Sequence, residues 1–133
     1  MKKKPSAKIT HLLDTSALIA YLAEESGAAK VKEVRHISAL PFIVLSELYY
    51  VTWRQQDQAL ADRTIEEVLT WRMPVVYPDQ RLSLSAGYVK ARYHLGIADS
   101  FIAATALAYG ATLLTKDPDF RVLGQDLKLL FLE

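Results

Sequence analysis

Short apolar runs alternate along this chain with longer stretches of helical periodicity, the pattern of a parallel sheet covered by helices. The first run, Ile9 to Leu13, stops at Asp14. Helices are expected over about 15–23 and 28–36, followed by a short strand at 37–40. Pro41 suits the first turn of the next helix, which should run to about residue 56. A helix at 59–71 has Ile65, Val68 and Leu69 at helical spacing. A brief strand at 75–77 and a helix at 82–95, closed by Gly96, come next. A further helix should open at Asp99 and end at Gly110, with strands at 112–115 and 127–132 completing the chain.

No repeat or linker divides the sequence, and 133 residues suit one domain with a sizeable core. Residues 1–8 are expected to form a basic tail ahead of a single domain over 9–133. Hydrophobic residues at 51% and charged residues at 23% give a globular balance rather than a disordered one. A formal net charge of +1 supplies no overall field toward nucleic acid, so any such binding must come from local cations or from metal. The lack of cysteine excludes disulfides, thiolate catalysis and Cys-based zinc sites. It is compatible with a reducing cytoplasm, the expected compartment. No apolar run approaches the roughly 18 residues of a membrane span, so no membrane partner is expected.

In such sheets the ligand crevice lies outside the carboxyl ends of the strands, where the strand order switches. Asp14 and Asp117 follow strand ends, and Asp99 opens a helix, where the dipole favours a carboxylate. Glu47 is the only acid between Pro41 and Trp53. It shares a stripe with Ile43, Tyr50 and Arg54 on a helix apolar almost all round, which should be largely buried. A carboxylate there is costly unless it is paired or holds a metal.

Each acid also has a structural explanation. Asp14 and Asp99 are suitable helix caps. Glu47 can face solvent or pair with Arg54, and Asp117-Pro118-Asp119 reads as a turn. Their convergence from separated segments gives the set its weight. Carboxylates at close range repel unless a cation compensates. Oxygen-only donors select Mg²⁺ or Mn²⁺ over zinc, and such ions support phosphodiester hydrolysis. His11, His36 and His94 lack ligand spacing, and Tyr49, Tyr50 and Trp53 are expected in the core. Lys116 and Arg54 read as solvated charges that could touch a phosphate.

Four blocks carry a family resemblance: Ile9 through Asp14 to Ile19, Leu45 to Tyr49 around Glu47, Ile97 to Thr105 around Asp99, and Leu113 to Phe120 around Asp117. In order and spacing they resemble PIN domains over nearly the whole chain. The resemblance implies a three-layer α/β/α fold with a central, mostly parallel sheet, cleaving RNA with Mg²⁺ or Mn²⁺. It further implies a VapC-type toxin ribonuclease, homodimeric and restrained by a cognate antitoxin protein. Carried over by motif, Asp14, Glu47 and Asp99 are metal-site acids with Asp117 as the fourth, a role Asp119 could share or replace. Thr15, Ser16 and Thr115 would orient water or an acid. A non-catalytic PIN-like module that binds RNA or protein is the main alternative, disfavoured because all the acids are present. A small-phosphate hydrolase on another α/β fold is a further one, and it lacks the expected Gly-rich loop or Asp-x-Asp motif.

Overall fold

The computed structural model describes residues 8–132; the expected basic tail lies outside them except for Lys8, as does Glu133. Five strands form the sheet: β1 (His11–Leu13), β2 (Ser38–Pro41), β3 (Val75–Val76), β4 (Thr112–Thr115) and β5 (Leu129–Phe131). Their order is β3-β2-β1-β4-β5, and every pairing is parallel. The central registers put Leu12 beside Ala39 and Leu113, and Leu13 beside Leu114.

Consecutive strand residues point to opposite faces, so the burial of both members of a pair reports cover on both sides. Leu12 and Leu13, Ala39 and Leu40, and Leu113 and Leu114 are all buried. The sheet is therefore the middle of three layers. Six helices supply the outer two: α1 (Thr15–Leu22), α2 (Ala28–Val34), α3 (Phe42–Gln55), α4 (Gln58–Thr70), α5 (Gln80–Tyr93) and α6 (Ile97–Tyr109). Three of them start on an aspartate whose side chain accepts a backbone N–H: Asp14 from Ala17, Asp57 from Leu60 and Asp79 from Leu82. Gly110 ends α6 in the left-handed conformation that glycine adopts without strain. Between α1 and α2, Gly27 has φ +96°, and a Cβ there would meet the Leu132 Cβ at 2.7 Å.

Several boundaries differ from expectation, each for a local reason. Pro41 is the last residue of β2, not part of the helix; its φ of −61° and ψ of 142° are extended. α5 closes on His94 in a left-handed conformation, whereas Gly96 opens α6. Consequently α6 starts at Ile97 and Asp99 lies inside its first turn. β3 and β5 are shorter than expected. Unanticipated 3₁₀ turns over Pro118–Asp126, broken by a kink at Gly124, link β4 to β5 and bury Phe120 and Leu123. α3 buries only Val44 and Leu48. Tyr50 and Trp53 are about half exposed, at 50% and 46%, so these aromatics lie outside the core in which they were expected.

Candidate active site

The sheet order reverses between β1 and β4, because the chain builds β2 and β3 on one side of β1 before crossing to β4. Asp14 follows the last residue of β1, and Thr115 is the last residue of β4. They sit side by side at the carboxyl edge, as a ligand crevice at a switch point requires.

Asp14 is 4% exposed, and donors surround it. Its Oδ1 accepts from the Ala17 N–H at 2.9 Å and the Ser16 hydroxyl at 2.7 Å, and its Oδ2 accepts from the Thr115 hydroxyl. Thr115 Oγ1 in turn accepts the Asp117 N–H at 2.9 Å, and Ser16 Oγ accepts the Lys116 N–H at 2.8 Å. Two small hydroxyls thus lock the start of α1 to the end of β4. Burial pushes the Asp14 carboxyl above its ordinary pKa, although the three donors pull the other way.

Glu47 reaches this edge from α3, where the Thr15 hydroxyl donates to its Oε1 at 2.6 Å. The edge-to-face contact of Phe42 with Phe101, centroids 5.3 Å apart, ties α3 to α6 and brings Glu47 and Asp99 into one neighbourhood. The expected alternative partner of Glu47, Arg54, is not within ion-pair distance of it; Thr15 takes that place.

Asp99 is half-buried and accepts no hydrogen bond from the described residues. Burial, and then repulsion from Asp117, Glu47, Asp14 and Asp119, raise its pKa from the ordinary carboxylate value to about 6. Carboxylate oxygens of Asp99, Asp117 and Asp119 all lie within 4.8 Å of one another. The Asp117 side chain also accepts the Asp119 N–H at 2.9 Å, which turns the two acids of the Asp-Pro-Asp motif toward the same ground. The structure therefore brings all five acids to one edge, and of the last two Asp117 is the less exposed and the stronger influence on Asp99. Thr15, Ser16 and Thr115 each hold an acid or an adjoining strand in place. Lys116 Nζ is paired with Glu25 at 3.4 Å.

Donors of this kind fit a hard divalent cation. All are oxygens, and Asp99 bears repulsion that a cation would relieve. The histidines stand apart from this group; His11, for instance, is bonded to the Thr10 hydroxyl at 2.8 Å.

Residues 11–125 match the PIN domain family model, and the chain belongs to the PIN domain family. Solved structures similar to it include VapBC2 from Rickettsia felis bound to a DNA fragment from their promoter (TM-score 0.76, 19% identity, covering 94% of this chain and 100% of that one). VapBC-1 from nontypeable Haemophilus influenzae is similar at TM-score 0.72 and 26% identity, covering 92% and 98% of the two chains. VapBC-5 from Mycobacterium tuberculosis, a member of the VapBC family of toxin–antitoxin systems, is similar at TM-score 0.66 and 22% identity, covering 92% and 96%. No curated protein matches the sequence. The family membership bears out the resemblance drawn from the four blocks, and the solved structures bear out its VapC-type form at the level of the fold.

Proposed function

We propose that this chain is a metal-dependent endoribonuclease that hydrolyses RNA phosphodiester bonds, and that it acts as the toxin of a type II toxin–antitoxin pair. The observation that supports the reading most is the meeting of five acids on one sheet edge, with Asp99 left without a donor and its pKa raised by its neighbours. Asp14, Glu47 and Asp99 would hold Mg²⁺ or Mn²⁺ together with Asp117 and Asp119, whose oxygens lie within 4.8 Å of one another and of those of Asp99. When bound, the ion would supply activation of a water for attack at phosphorus and relief of the charge that builds during in-line displacement.

The chain's own residues set the geometry. Ser16, Thr115 and the Ala17 N–H fix both oxygens of Asp14, so its orientation costs nothing at the moment of reaction. Thr15 fixes Oε1 of Glu47 and leaves Oε2 without a partner among the described residues, able to accept from a water. Asp99 is the acid with most to gain from a cation, since binding converts mutual repulsion into shared attraction. The nuclease domain extends over residues 9–133 in this reading, with residues 1–8 as a basic tail. A cognate antitoxin protein and a second copy of the chain are its partners, and the cytoplasm its compartment. The likeness to VapBC structures supports the antitoxin partner.

The test is RNA cleavage by the purified protein. Cleavage should require Mg²⁺ or Mn²⁺, stop in chelator, and disappear in folded Asp99→Asn and Asp14→Asn variants. Activity that survives chelation or both substitutions would overturn the metal-site assignment. Tight RNA binding with no cleavage under any metal would favour a non-catalytic module instead. For the toxin role, a short adjacent upstream reading frame encoding a DNA-binding, antitoxin-like protein is expected, and an isolated gene would count against it.

A further inference from the structure

One cation at the carboxyl edge has a use that the acid cluster does not explain. In a parallel sheet, residues paired in register put their side chains on the same face. Leu13 pairs with Leu114, so the next residues along, Asp14 and Thr115, are neighbours, as their hydrogen bond confirms. Thr115 pairs in turn with Phe131. Asp14, Thr115 and Phe131 therefore form one row across β1, β4 and β5, on one face of the sheet at its carboxyl edge. The Arg121 guanidinium lies over the Phe131 ring, 4.1 Å from its centroid. With strands spaced about 4.8 Å apart, the Phe131 backbone that carries this stack lies roughly 10 Å from the Asp14 backbone along the row.

Lys116 and Arg121, which follow β4 in the chain, are held differently. Lys116 is paired with a carboxylate, Glu25, which neutralises much of its charge. Arg121 is exposed and stacked on a neutral ring, and it forms no ion pair among the described residues. Stacking restricts the head group while leaving its charge and its donors available. A polyanion approaching five acids meets repulsion, and a net charge of +1 supplies no compensating field. A pre-oriented guanidinium on the same row, two strands along from the acids, is the kind of group that offsets this.

We propose that Arg121, oriented by Phe131, binds a backbone phosphate of the RNA strand on the β5 side of the acid cluster, a phosphate other than the one attacked. The inference rests on the ribonuclease reading and assigns one of its substrate contacts. It makes Arg121 a binding residue and Phe131 a positioning residue.

The experiment uses the full chain and a fluorescent single-stranded RNA. With Mn²⁺, Arg121→Gln should raise KM about ten-fold, with the loss falling on KM rather than kcat. RNA binding by Arg121→Gln should depend less steeply on salt, the slope of log K against log salt falling by about 0.7, the contribution of one phosphate contact to a single strand. Arg121→Lys should recover part of the affinity, and Phe131→Leu should lose part of it while keeping the charge. KM and salt slope equal to those of the unaltered protein in both Arg121→Gln and Phe131→Leu would overturn the proposal. A drop confined to kcat would also overturn it. RNA that the unaltered protein binds without cleaving would defeat the ribonuclease reading, and the salt-slope comparison would still decide the role of Arg121.

Discussion

Asp14 and Asp99 belong to the same cluster under opposite conditions. Asp14 is buried among three hydrogen-bond donors, and its carboxyl is raised by desolvation in spite of them. Asp99 is half-buried with no donor, and is raised by desolvation together with four neighbouring acids. One acid is therefore part of the frame and the other is held in readiness. Asp14 caps α1 and joins β1 to β4, so the fold uses it whether or not a cation binds. Asp99 accepts no hydrogen bond among the described residues, and the repulsion it bears is of the kind that a bound cation would relieve.

This contrast can be broken by substitution. The largest effect should come from Asp14→Ala, which removes a helix cap and strands the Ser16 and Thr115 hydroxyls. A loss of about 2 kcal/mol, or roughly 8 °C in Tm, is expected by thermal unfolding. Asp14→Asn keeps the Oδ1 acceptor and sheds the buried charge, so it should unfold near the unaltered protein. A mild Asp14→Ala would mean that the three bonds do not support the fold.

Thr115→Val should cost somewhat less, about 1.5 kcal/mol. It leaves Asp14 Oδ2 and the Asp117 N–H without their partner in a fully buried position. Denaturant unfolding measures it, and an unchanged midpoint would show that the hydroxyl bridge is dispensable.

The smallest effect concerns pH. The folded pKa of Asp99, about 6, exceeds its ordinary value of 3.8, so the folded state holds the proton more tightly than the unfolded chain. Its ionised form is a burden above about pH 6 that is relieved as the pH falls toward 4. In chelator, Tm should rise by about 1–3 °C between pH 7 and pH 5.5, and the rise should be smaller in Asp99→Asn, where only the raised Asp14 carboxyl still contributes in that direction. A fall in Tm over that interval, or an equal rise in the variant, would refute the assignment.

The sequence made the strand–helix alternation and the acids legible because each depends on local pattern. Leu12 with Leu13 and Leu113 with Leu114 read as buried strands, and Asp14 and Asp117 could be set at strand ends without any contact being known. Glu47 stood out as a lone acid on an apolar helix, although α3 proved half-exposed and its partner proved to be Thr15, 32 residues away. Such a pairing leaves no trace in spacing. The start of α6 was set two residues late, at Asp99 instead of Ile97, because Gly96 serves as its opening residue and His94, not glycine, takes the left-handed position that closes α5. Arg121 was invisible for a similar reason. Its platform, Phe131, lies on β5, and only the register of β4 with β5 sets the pair on the row of Asp14, two strands away. A turn bond brings both Asp117 and Asp119 to Asp99, with Asp117 the less exposed and the more strongly coupled, a ranking that the sequence order of the two acids does not reveal.

Whether the unpartnered acids form a cation site is most directly tested by titrating Mn²⁺ into the metal-free protein at pH 7 and following the ion by electron paramagnetic resonance. The unaltered protein and Asp14→Asn should be compared with Asp99→Asn. Saturable binding that is largely lost in Asp99→Asn, with both variants folded, is the expected result. Equal binding in the unaltered protein and Asp99→Asn, or no binding in either, would contradict it.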